Sequence, residues 1–160
     1  NTNNKYNEFS SILNYGNKPK VMYNAQKNTL LITMKHDNRD KRTNRDKLLE
    51  FDSNDDRIIY KNDDMLLQKW NNIIINYNGG IMDIFLNGEL VKSNQGVVPY
   101  YKLDNLVVGE NNGYIGGLCN LVYHRKVLSA SNVSTIYNSQ KKNSPPVSNP
   151  SSTETIVNKS

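Results

Sequence analysis

Apolar and polar positions alternate most regularly between residues 70 and 93, where three β-rich runs are separated first by Asn78-Gly79-Gly80 and then by Asn87-Gly88. Two-residue Asn-Gly loops favour the type I′ turn, whose twist matches that of the flanking strands, so the stretch predicts a three-stranded antiparallel meander. With Asn87 and Gly88 as the turn, Leu86 faces Glu89, Phe85 faces Leu90, Ile84 faces Val91 and Asp83 faces Lys92. That register makes two apolar cross-strand pairs and one opposite-charge pair, each worth roughly 0.2–1 kcal/mol. Ile81, Phe85 and Leu90 then share one face, and Met82, Ile84, Leu86 and Val91 the other. Because both faces are partly apolar, the meander is expected inside a layered sheet structure rather than at its edge.

The rest of the chain reads as further strands and one helix. Residues 9–15 form a strand stopped by Gly16-Asn17, residues 20–24 a second, and residues 29–35 a third in which Leu30, Ile32 and Met34 alternate with Leu31, Thr33 and Lys35. This period of two predicts one dry face. Residues 36–47 carry both signs of charge and no apolar side chain, as in a long exposed loop. Short strands are expected at 48–51 and 57–60 around the acidic turn Asp52-Ser53-Asn54-Asp55-Asp56, and later strands at 103–109 and 114–124. Ser129 and Ser131 offer N-caps for a helix over about 131–138, with Val133, Ile136 and Tyr137 at helical spacing. Residues 1–8 read as a flexible arm, 9–138 as one domain, and 139–160, rich in Lys, Ser, Pro and Asn, as a disordered tail or linker.

Trp70, its alternating strand, the Gly-containing turn, and a strand that ends in Asn87-Gly88 before an apolar return resemble the middle of a concanavalin A-like, laminin-G-like jelly roll. Asp104-Asn105-Leu106-Val107-Val108-Gly109 and Tyr114-Ile115-Gly116-Gly117-Leu118-Cys119-Asn120-Leu121-Val122-Tyr123 resemble that family's closing strands. Leu128-Ser129-Ala130-Ser131-Asn132-Val133 resembles its terminal helix start. The resemblance covers residues 9–138 and implies an all-β, antiparallel β-sandwich with one short C-terminal helix. The family usually has an aromatic strand upstream of this point, so the chain is expected to be an excised or processed fragment. Combined with the abundant Asn, Lys and Ile, this resemblance makes the chain similar to lectin-like domains encoded by large DNA viruses, which implies a place on a virion or an extracellular or infected-cell surface.

Composition changes this picture little. Net charge is +5 and the isoelectric point near 9.2, which suits an anionic partner. No recognition helix, zinc-ligand set or aromatic RNA-binding motif accompanies the charge, so specific nucleic-acid binding is not expected. Cys119 is the single cysteine, which excludes an intrachain disulfide; within an apolar strand it is expected to be buried and inert. No run approaches the roughly 18 apolar residues of a membrane span.

The side chains offer three chemistries. Lectins fix sugar hydroxyls with Asn or Asp and stack an aromatic ring on the sugar's apolar face; Tyr100, Tyr101, Asn111, Asn112 and Tyr114 offer that set at one rim. Asp52, Asn54, Asp55 and Asp56, or Asp63 and Asp64, offer hard oxygens for calcium, as relatives of the superfold hold at a rim, although the 52–56 run lacks the Gly and Glu of an EF-hand loop. Glu50 and Asp52 have the alternating spacing of laminarinase-like hydrolases, in which two carboxylates about 5 Å apart support retaining glycoside hydrolysis. Asn54 stands where the third acid would be. His36 and His124 have no ligand partners at metal spacing and are expected at the surface. The sequence therefore reads best as a non-catalytic recognition module that binds glycan or protein through rim loops. The alternatives are a virion structural protein exposing Tyr and Met, and a glycoside hydrolase with Glu50 and Asp52 lining a groove.

Overall fold

The computed structural model describes residues 9–35, 49–97, 104–110 and 115–142. Eight strands and one helix follow in the order β1 (Ser10–Tyr15), β2 (Lys20–Asn24), β3 (Thr29–Met34), β4 (Arg57–Asn62), β5 (Ile73–Asn78), β6 (Ile81–Leu86), β7 (Glu89–Gln95), β8 (Leu106–Val108) and α1 (Ala130–Gln140). They form a five-stranded antiparallel sheet, β4-β3-β2-β1-β8, and a three-stranded antiparallel sheet, β5-β6-β7. Val21, Leu30, Ile32, Met34 and Ile59 of the first sheet share one buried cluster with Met82 and Ile84 of the second. The chain is thus mostly β with one short helix, consistent with an all-β sandwich.

The expected meander forms. Asn87 and Gly88 both have positive φ, 52° and 85°, as a type I′ turn requires. Leu86 pairs with Glu89 and Phe85 with Leu90, but a bulge then intervenes, so Ile84 pairs with Lys92 and Asp83 with Ser93. The expected Asp83–Lys92 charge pair is replaced by a hydrogen bond from the Ser93 hydroxyl to the Asp83 carboxylate, 2.5 Å. An extra residue in one strand shifts every partner beyond it, and nothing in the alternation announces that. Met82 and Ile84 enter the shared core; on the other expected face Phe85 is buried, while Ile81 and Leu90 are exposed.

Two departures concern the other strands. All six residues of β3 are buried, not one face only; on the more polar face the Thr29 hydroxyl donates to Asp63 at 2.6 Å, so burial leaves it partnered. Of residues 49–51 only Phe51 makes a β-bridge, to Arg57, and no strand forms there.

Polar side chains tie the sheets together. The Arg57 guanidinium at the start of β4 donates to the carbonyls of Gln95 and Gly96, each at 3.2 Å, and the Asn94 amide donates to the Ile59 carbonyl at 3.1 Å. The short strand β8 is exposed along its length but fastened at both ends. Before it, Asp104 pairs with the buried Lys18 ammonium at 2.6 Å and lies against Gly16. After it, the Glu110 carboxylate accepts from Asn14 at 2.9 Å and Ser11 at 3.3 Å.

The helix begins where expected, with Ser129 as N-cap accepting from the Asn132 amide. Its entry is fixed by Asn76 on the outer face of β5, whose side chain donates to the Leu128 carbonyl at 2.8 Å and accepts from the Leu128 amide at 3.3 Å. Tyr137 lies over the β6–β7 turn so closely that a Cβ on Gly88 would fall 2.8 Å from its ring.

Candidate functional site

Side chains left exposed by this architecture gather at the entry to β5. Leu66, Leu67 and Trp70 occupy a turn whose backbone is held by Asn71: its side-chain amide donates to the Leu66 carbonyl at 2.9 Å and the Lys69 carbonyl at 3.3 Å. The Asn71 side-chain oxygen accepts in turn from the Asn87 side-chain amide at 3.2 Å, and the Asn87 side-chain oxygen accepts from the backbone amide of Asn72 at 2.8 Å. Gln68, at φ 56°, provides the left-handed residue that bends the turn. The loop is therefore stapled to the meander. It nevertheless presents Leu67 at 64% and Trp70 at 55% exposure.

Residues 115–127 add to the same rim. Gly117 lies against the edge of the Trp70 indole, where a Cβ would fall 2.9 Å from Cη2. From there the chain runs to Leu128, the residue clamped by Asn76, and so passes alongside β5. Residues 115–124 form no strand, contrary to the alternation and to the family's closing strand. Ile115 is 99% and Tyr123 88% exposed, and Leu118, Leu121, Val122 and Val127 are exposed as well. Strand-forming residues make a strand only where another backbone completes their hydrogen bonds, and among the described residues none does so here. Cys119 is accordingly half-buried in an irregular segment rather than sealed in a strand.

The acidic turn is organised by its own first residue. The Asp52 carboxylate accepts from the backbone amides of Asn54 at 2.8 Å and Asp56 at 2.9 Å, and Asp55 adopts φ 63°. Burial, then Asp52, raises the Asp56 carboxyl above the ordinary carboxylate range, against the pull of Lys20 and Lys35. Among the described residues no three His, Cys, Asp or Glu side chains are grouped so as to hold a metal ion. Glu50 is exposed beside the bridging residue Phe51, and Asp52 is turned into the loop, so the two do not line one face of a regular strand. His124 is exposed; His36 lies outside the described residues.

Tyr100, Tyr101, Asn111, Asn112 and Tyr114 also lie outside the described residues. The Trp70 rim was missed by sequence reasoning. Its available signal was the run Leu66-Leu67-Gln68-Lys69-Trp70, apolar yet too short and too close to β5 to form an element of its own.

No protein-family model and no curated protein matches the chain. Among solved structures, the chain is similar to an S-layer domain-containing protein from Clostridium thermocellum (residues 221–444), with 12% identity and a TM-score of 0.36, covering 74% of this chain and 55% of that one. The chain thus spans about half the length of that structure, and likeness at this level establishes neither a shared fold nor a shared function. Among the described residues no helix is long and apolar enough to cross a membrane.

Proposed function

We propose that the chain is a non-catalytic recognition module with a concanavalin A-like, laminin-G-like jelly-roll path, binding glycan or another protein through rim loops at a virion or cell surface. The observation that carries this reading is the Trp70 rim, where a half-exposed indole and two exposed leucines are held outward by an asparagine network. A protein that only had to fold would gain by burying them, since each fully buried side chain of that kind contributes about 1.5–3 kcal/mol. A half-exposed tryptophan is also the ring that stacks on a sugar's apolar face.

One observation favours a second reading, a structural or assembly protein: the exposed apolar residues of 115–127 suit a subunit interface better than a sugar site. Tyr123 fits the expected exposure of aromatics, whereas Met22, Met34, Met65 and Met82 are all buried. A glycan array probed with calcium and with chelator, at two salt concentrations, separates these readings. Saturable binding lost in Trp70→Ala establishes the glycan module, and chelator sensitivity adds calcium at the acidic turn. Silence under every condition rejects glycan and leaves the interface.

A further inference from the structure

The Trp70 rim differs from the rest of the molecule in charge as well as polarity. Residues 65–77 and 115–142 contain Lys69, His124, Arg125, Lys126, Lys141 and Lys142 and no Asp or Glu, although the chain has 15 acidic residues. The two segments are neighbours, joined by the Gly117–Trp70 contact at one end of β5 and the Asn76–Leu128 hydrogen bonds near the other. The acids beside it are Asp63 and Asp64, immediately before the first segment, with Asp63 paired to Lys61; Asp83, engaged by Ser93; and Glu89 beyond the Asn87-Gly88 turn. The exposed apolar side chains thus share their segments with Lys69, beside Trp70, and with Arg125 and Lys126, on the span from Gly117 to Leu128.

We infer that this surface docks peripherally on an anionic lipid bilayer, with Leu66, Leu67, Trp70 and Ile115 entering the headgroup boundary and Lys69, Arg125 and Lys126 meeting lipid charge. Charge complementarity selects an anionic occupant, and the form of the apolar residues selects a fluid one. Ile115 stands 99% exposed and adjacent leucines point outward from a stapled turn. Protruding side chains of this kind gain by insertion into a bilayer, which needs no matching pocket, whereas a protein partner's anchors fill pockets. Tryptophan and tyrosine favour the membrane interface, where an amphipathic ring meets both water and chain, and Trp70 and Tyr123 are both exposed here. This docking uses the same Trp70 rim as the glycan reading but goes beyond it, acting through lipid charge and insertion rather than hydroxyl recognition.

Trp70 is the single tryptophan, so its fluorescence reports this site alone. The chain is mixed with phosphatidylcholine vesicles, with or without about 30 mol % phosphatidylserine, a lipid that gives the surface the negative potential basic residues sense. Expected are a blue shift, quenching by bromine-labelled acyl chains and co-flotation with the anionic vesicles, all weakened by added salt. Leu66→Ser/Leu67→Ser and Arg125→Glu/Lys126→Glu are each expected to weaken binding about tenfold or more with an unchanged melting temperature. If a variant melts earlier, quenching of the parent chain still decides. No shift on anionic vesicles overturns the proposal, as does flotation with Trp70 unquenched, which would place the contact on another face. A shift produced by heparin or duplex DNA but not by vesicles overturns it in favour of a soluble polyanion. Glycan binding without vesicle binding overturns it while leaving the recognition reading intact.

Discussion

In β5–β7 and in residues 115–127 the chain carries comparable apolar, β-forming sequence. In the first, each strand meets its partner across a two-residue turn: Asn78 pairs with Ile81 around Gly79-Gly80, and Leu86 with Glu89 around Asn87-Gly88. In the second, Gly116-Gly117 precedes Leu118, Leu121 and Val122, and the chain leaves for the helix without a hydrogen-bonded strand neighbour among the described residues. The side chains differ little; the supply of a partner differs entirely. Local turns fix registry at small entropic cost, whereas a strand that must recruit a distant partner depends on what the tertiary structure leaves free. The meander therefore contributes core, and the second stretch contributes surface.

The largest test of this contrast is a pair of truncations. Ile84→Ala removes a fully buried side chain from the shared core and is expected to cost about 2–5 kcal/mol. Val122→Ala, from an exposed position, is expected to change stability by no more than about 0.5 kcal/mol. Urea denaturation of both measures the difference, and comparable losses would mean that residues 115–127 are packed in solution.

Next in size are the contacts that join the meander to the helix and its entry at Leu128. Gly88→Ala places a methyl against Tyr137 at a positive φ and is expected to cost about 1–3 kcal/mol. Part of that loss should be recovered in the double variant with Tyr137→Ala, which relieves the contact but not the backbone strain. Asn76→Ala removes both hydrogen bonds to Leu128 and is expected to cost about 1–3 kcal/mol. Its signature is regional: amide exchange should accelerate over 130–140 before it does over β6.

The smallest effects are electrostatic and have opposite signs. Asp56, raised mainly by burial, binds protons more tightly in the folded than in the unfolded chain. Its contribution favours folding at low pH and turns unfavourable as pH rises from the ordinary carboxylate range through the raised value. Asp56→Asn should therefore be more stable than the parent at neutral pH and equal to it in strong acid. Asp63 is lowered, first by the Thr29 hydroxyl and then by Lys61, so it supports folding above the ordinary range and loses that support as pH falls through the lowered value. Asp63→Asn should lose stability at neutral pH and converge with the parent in acid. Urea midpoints across the acid range check both.

Glycines and asparagines at turns, a serine N-cap and short-range alternation determined β2, β3, the meander and the helix from the sequence alone, because each is an interaction among residues close along the chain. Only the tertiary structure decided the bulge that moved Lys92 opposite Ile84, the burial of both faces of β3 and the irregular backbone where residues 115–124 were expected to form a strand. The same holds for the site. Asp52 could be seen as an acidic turn residue, but its amide partners and the exposure of Trp70 depend on where the surrounding chain runs. Sequence specifies which backbone groups seek partners and which side chains seek burial; the completed packing determines which of them find one.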